Sequence, residues 1–147
     1  KTREAVVHAE SQVRNEYGKS VHVDYEVSIY DYDGKRVSTF RGQPTTVQSG
    51  ETVVLKASAP LKDLHFWSWG YGYLYDVKTT LLVNGRSVDE VVTRTGFRKT
   101  RFGEGKVWLN DRVLQLKGYA QRSSNEWPGV GMSVPPWMSD YSKRIND

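Results

Sequence analysis

Val21-His22-Val23-Asp24-Tyr25-Glu26-Val27-Ser28-Ile29 is apolar at every odd position and polar at every even one. Successive side chains of a strand point to opposite faces, so this period of two gathers the apolar residues on one face. A helix would scatter them around its axis. The segment therefore reads as a strand buried on one side and wet on the other, the habit of an antiparallel sheet.

The pattern extends outward from there. Val6 to Val13 is a preceding strand of the same kind, with Asn15-Glu16-Tyr17-Gly18 as its turn. Asp31-Tyr32-Asp33-Gly34 turns the chain again, because Gly accepts the positive φ such turns demand, and Lys35 to Phe40 returns as a short strand. Pro44 marks a connection or a sheet edge, having no N–H for a ladder. Ser49-Gly50-Glu51 leads into a strand from Thr52 to Ala57, which Pro60 is expected to end. Tyr73 to Val83 and Val88 to Thr95 pair across Asn84-Gly85, the strongest short hairpin signal in the chain. About seven short strands at roughly 8–12-residue intervals, with no helical period, predict an all-β sandwich of two sheets. With no Cys to brace it, the core must hold by packing, and Val23, Tyr25, Val27, Ile29, Val54, Leu81 and Val83 are its expected members.

After Arg98 the grammar changes. Phe102 to Leu109 and Val113 to Gln121 read as a further hairpin turning at Asn110-Asp111. From Arg122 onward prolines and glycines break any regular element, yet Trp127, Trp137 and Tyr141 are crowded into the same stretch. Free linkers are polar, so these aromatics read as surfaces made to pack on another part of a protein.

Composition narrows the function. A chain of 147 residues, 37% hydrophobic and 26% charged, suffices for a domain with a real core but not for a TIM barrel of roughly 250 residues. No apolar run approaches the roughly 20 residues of a membrane helix, so no membrane partner is expected. Lys1-Thr2-Arg3-Glu4 has neither an initiator Met nor the apolar core of a signal peptide, and reads as a boundary inside a longer sequence. The net charge of +4 and pI near 9.3 raise the question of nucleic acid. Lys and Arg are interleaved with Asp and Glu, however, so no nucleic-acid partner is expected. The densest cationic group (Arg94, Arg98, Lys99, Arg101) falls where the pattern changes. His8, His22 and His65 lack metal-ligand spacing, and neither a metal site nor a cofactor is expected.

Several fragments carry a resemblance. Val13-Arg14-Asn15 has the form V-x-N, and Asp31 to Val37 the form D-x-x-G-x-x-V. Trp67-Ser68 with Tyr73-Leu74-Tyr75 is similar to L-W-S-P-x-x-P-x-L-Y, with Gly70 and Gly72 where prolines are usual. Thr95-Gly96-Phe97-Arg98 matches x-G-F-R. Val107 to Val113 is similar to F-x-L-N-G-K-P-V, with Asp111 for the glycine and Val113 for the proline, and Leu116-Lys117-Gly118 to L-R-G. In order and spacing the set resembles glycoside hydrolase family 2, the relatives of β-galactosidase and β-glucuronidase. The region is the one where an immunoglobulin-like domain hands over to the catalytic TIM barrel.

That resemblance implies an immunoglobulin-like β-sandwich at 1–98. Residues 99–147 would then be a hairpin, the first strand and a loop of a truncated TIM barrel, leaving an incomplete, loop-rich tail. It implies a parent protein that hydrolyses β-glycosidic bonds in carbohydrate metabolism. The implied mechanism is retaining, with two carboxylates about 5–5.5 Å apart, both from later barrel strands. This chain would hold no catalytic residue. Its partners would be the rest of its own chain, namely the barrel and an N-terminal sugar-binding-like domain, with carbohydrate as the parent's substrate. Family habit points to a secreted or periplasmic protein, with a cytoplasmic one as the other option.

After Gly118 the family's V-N-R-H-E is replaced by Tyr119-Ala120-Gln121-Arg122-Ser123, which implies a divergent subgroup. If Leu114 to Gln121 is the first barrel strand, Gln121, Arg122, Asn125 and Glu126 fall at its C-terminal end, where barrel active sites sit. They are the candidate substrate-binding residues of the parent. Asn125-Glu126 imitates the family's Asn-Glu acid/base pair but comes too early for that role, and Glu126 also reads as a loop residue paired with Arg122. A second function class remains open: a carbohydrate-binding β-sandwich module using Trp67, Trp69, Tyr71 and Tyr73 as a stacking platform. The same cluster also reads as an aromatic edge packed at a domain interface.

Overall fold

The computed structural model describes residues 3–118, and all its regular elements there are strands. They are β1 (Ala5–Arg14), β2 (Val21–Tyr30), β3 (Arg36–Arg41), β4 (Thr45–Val47) and β5 (Thr52–Leu61). The series continues with β6 (Tyr75–Val83), β7 (Arg86–Thr95), β8 (Thr100–Gly103), β9 (Lys106–Leu109) and β10 (Arg112–Leu114). β1 pairs antiparallel with β5 along its whole length, from Ala5 opposite Leu61 to Arg14 opposite Thr52. The larger sheet runs β3-β2-β6-β7, and β4 joins β2 on the edge it also offers to β3.

The two sheets close on one core. Val7, Leu55, Ala57 and Leu61 come from the first, and Val23, Tyr25, Val27, Ile29, Val47 and Tyr75 from the second. The odd face of β2 is thus the buried one, as its alternation requires, and the all-β sandwich is the observed fold. A hydroxyl pair spans the sheets, with Tyr25 Oη 2.8 Å from Ser11 Oγ.

Four details depart from the sequence reading, the first being that the strand expected from Val113 to Gln121 is β10, Arg112–Leu114, with no regular structure at 115–118. Val54 is 52% exposed rather than buried. In the run Val53-Val54-Leu55 the phase of the alternation is ambiguous, and Leu55, Ala57 and Leu61 set it so that Val54 faces out. Pro60 does not end β5, which continues to Leu61. An edge strand tolerates a residue without an N–H where that nitrogen faces away from its partner. Phe102 to Leu109 is two strands, β8 and β9, reversing at Glu104 and Gly105 (φ +54° and +64°). A glycine after a polar residue was the available turn signal. The two expected hairpin turns do form, with positive φ at Asn84 and Gly85 and at Asn110 and Asp111.

Asn15 clips the loops at one end of the sandwich. Its buried Nδ2 donates to the carbonyls of Lys19, Val47 and Gln48 at 2.9–3.1 Å, and its Oδ1 accepts the Tyr17 N–H.

Candidate functional site

The aromatic segment between β5 and β6 is organised by a turn at Trp69-Gly70. Ser68 and Tyr71 exchange both backbone hydrogen bonds at 2.9 Å, and Gly70 supplies φ +72°, which a side chain would resist. The turn folds His65 back against Tyr71, with Nδ1 to Oη at 2.8 Å. His65 stacks on Tyr73 with centroids 4.5 Å apart and planes 19° from parallel, and Tyr71 stacks on Tyr73 at 5.9 Å and 25°. Tyr32, from the turn between β2 and β3, leans on Tyr73 at 6.4 Å.

Beneath this group Tyr75 is buried, touching Tyr73 and Phe97 at 5.0 Å each and accepting the His65 N–H at 2.8 Å. Burial pushes its phenol above the ordinary 10.0, and the hydrogen bond from His65 pulls the other way. Trp67, expected in an exposed platform, is half-buried instead. Gly96 lies so close that a Cβ there would stand 2.7–2.9 Å from Trp67 atoms, and Arg98 covers its ring at 5.1 Å. Trp69, by contrast, is 73% exposed and Tyr71 is 47% exposed. His65 and Tyr32 were not among the expected platform residues. The pivot at Gly70, which brings positions on either side of it together, was the signal for His65; nothing local announces Tyr32.

The members of the cationic group where the pattern changes each contact another residue of the chain. Arg94 faces Asp76, Arg98 covers Trp67, Lys99 binds Asp111 at 2.9 Å, and Arg101 lies 4.4 Å above the Trp108 ring. Each of these cations has a neighbour within the chain. Asn110 ties the meander β8-β9-β10 to the aromatic segment, donating to Trp67 O and accepting from Lys99 N. A cleft of about 810 Å³ opens beside this knot, floored by Phe66, Phe97 and Leu109. Two of the carboxylates that line it are held by lysines, Glu4 by Lys62 and Asp111 by Lys99. Among the described residues no three of His, Cys, Asp and Glu gather in a way that would hold a metal ion. Gln121, Arg122, Asn125 and Glu126 lie outside the described residues.

Comparison with known proteins places this arrangement. The model of a family described as glycosyl hydrolases family 2 matches residues 1–98. A β-galactosidase of Thermoanaerobacterium thermosulfurigenes is 30% identical over 145 residues, covering 99% of this chain and 19% of that protein. A β-glucuronidase of Formosa agariphila is 23% identical over 146 residues, covering 99% of this chain and 15% of that protein. Among solved structures, β-glucuronidase 2 of Bacteroides uniformis superposes with a TM-score of 0.78 at 22% identity, over 97% of this chain and 17% of that one. The chain thus spans less than a fifth of the curated relatives it matches.

Proposed function

The chain belongs to glycosyl hydrolases family 2, and on that premise we propose that it is a non-catalytic part of a larger hydrolase that cleaves β-glycosidic bonds. The observation that carries this reading is the coincidence of the family match at 1–98 with a sandwich whose carboxylates are turned to structural use. Glu10, Glu26, Asp76 and Glu90 each face a Lys or Arg of the neighbouring strand, across the face of a sheet. None is paired with a second carboxylate across a cavity.

In this reading residues 1–98 form an immunoglobulin-like sandwich, and 99–147 begin the catalytic barrel. The partners are the barrel and a sugar-binding-like domain of the same parent. The two carboxylates of a retaining mechanism, about 5–5.5 Å apart, come from the barrel. Gln121, Arg122, Asn125 and Glu126 then meet the substrate, as the loop after a first barrel strand does. The sandwich acts by position: Asn110 and the Trp67–Gly96–Arg98 contact hold the outgoing chain against a rigid core.

The sugars named for the relatives set the first assays. The gene product extended through its downstream coding sequence is expected to cleave an aryl β-glucuronide or β-galactoside. Proton NMR should show the β-anomer as first product. Inversion, or no turnover of either sugar, would remove this reading.

A further inference from the structure

β7 is the last strand of the larger sheet, and among the described residues no strand pairs with its outer edge. It runs for ten residues without a Pro, Gly or Lys, and all of it up to Arg94 is exposed. Val91 and Val92 are 54% and 61% exposed. Such an edge offers a row of backbone N–H and C=O groups to another strand. Proteins guard these edges by keeping them short, or with prolines, bulges and charges. β7 has one bulge, at Val88, since Leu82 lies opposite Ser87 and Leu81 opposite Asp89. From Asp89 to Thr95 its ladder with β6 is unbroken. Charges are its remaining guard, and they prevent pairing only where like meets like.

We propose that β7 is a docking edge for β7 of a second copy of this chain, the two strands pairing antiparallel about a two-fold axis at Val92. Val92 is the midpoint of the unbroken stretch, so this axis uses all of it. Val92 then faces its own counterpart, Val91 faces Thr93, Glu90 faces Arg94 and Asp89 faces Thr95. Under two-fold symmetry each unlike contact occurs twice. Glu90, Val92 and Arg94 share one face of β7, opposite Thr80, Lys78 and Asp76 of β6. On that face Arg94 lies 3.7 Å from Asp76, and Lys78 lies 2.8 Å from Glu90. Across the axis the charges run Asp76, Arg94, then Glu90 and Lys78 of the second copy, alternating in sign throughout. An axis at Glu90 instead sets that carboxylate against itself and Arg86 against Arg94. An axis at Val91 pairs no opposite charges. The backbone ladder supplies the affinity, and the charges choose the register.

Nothing here depends on the hydrolase reading, so association and turnover stand or fall separately. The chain has no Cys, which lets one introduced thiol report the axis. Residues directly opposite on antiparallel strands have Cα atoms about 4.5–5.5 Å apart, within disulfide reach. Val92→Cys is expected to give a covalent dimer on mild oxidation. Val88→Cys, far from its own counterpart, is not. Light scattering of the wild-type chain at high concentration should read about twice 16.8 kDa. Glu90→Arg and Arg94→Glu each set like charges together at both contacts and should weaken association about tenfold. An equimolar mixture of these two variants restores both opposite-charge pairs and should associate as wild type does. Charges that served only the fold of their own chain would not be rescued by mixing. The substituted residues are exposed, and circular dichroism checks that each variant folds. A wild-type mass of one chain overturns the proposal. So does equal capture through Val88→Cys and Val92→Cys, or a mixture no better associated than its components. A monomeric extended gene product with slow amide exchange at 89–95 also overturns it, since β7 would then be covered by the rest of its own protein.

Discussion

Asn15 reaches three carbonyls with one amide, which makes it the residue on which the loop end of the sandwich depends. Asn15→Ala would leave the carbonyls of Lys19, Val47 and Gln48 and the Tyr17 N–H without that partner, a loss of about 3 kcal/mol. Urea unfolding with an unchanged slope measures it. Asn15→Asp separates the donor role from mere volume, because it sets oxygen lone pairs against three carbonyl oxygens. It should be no more stable than the Ala variant at pH 7, and wild-type stability would refute the donor role. Gly42 carries a different demand. A Cβ there would stand 2.2 Å from the Lys56 carbonyl oxygen, an atom of the opposite sheet that cannot step aside. At Gly34 the space is open and only φ +77° resists a side chain, at about 1–2 kcal/mol. Gly42→Ala should therefore cost more than Gly34→Ala, about 3 kcal/mol by unfolding in urea. The turn glycine was legible beside Asp31 and Asp33; Gly42 was not, because what crowds it is a distant residue on β5.

The segment feeding β6 joins an exposed patch to a buried phenol. The folded protein holds the Tyr75 pKa above its ordinary 10.0, so the unfolded chain releases that proton first as pH rises. The stability this contributes is complete below the unfolded value and is lost as pH climbs through the folded one. Tyr75→Phe removes the titration and also the partner of the His65 N–H, which costs about 1 kcal/mol near neutrality. The gap in Tm between wild type and Tyr75→Phe should then shrink as pH passes above 10.0. A gap constant from pH 7 to 11 would show that burial does not hold the phenol neutral. At this scale the strands were the most legible feature, since β1, β2, β6 and β7 announce themselves by alternation or by Asn84-Gly85. β4, three residues long, is too short to show a period. Val54 was misplaced because three consecutive apolar residues fit either face equally well. The aromatic site was half legible: its residue types stood out, but which rings face water depended on Gly96 and Arg98 pinning Trp67.

Over the whole molecule the question is whether this chain can cut a sugar by itself. Retaining hydrolysis needs one carboxyl kept protonated as acid and a second kept ionised as nucleophile, at a fixed short separation. The chain has 17 Asp and Glu, so number is not the obstacle. Eight of them, among the described residues, stand in ion pairs with Lys or Arg, at separations from 2.6 to 3.8 Å. For Glu90 the hydrogen bond from Lys78 holds the carboxyl below the usual carboxylate range, which works against a general acid. The cleft beside the meander has carboxylates in its wall, but Glu4 and Asp111 are both lysine-bound. No hydrolysis of 4-nitrophenyl β-galactoside or β-glucuronide above the buffer rate is therefore expected from the 147-residue chain. The absorbance of nitrophenolate over a day at high protein concentration gives a sensitive reading. Release by the purified chain that vanishes in Glu126→Gln would reverse the conclusion. It would place a working carboxylate among the residues after Gly118 and make the chain an enzyme in its own right.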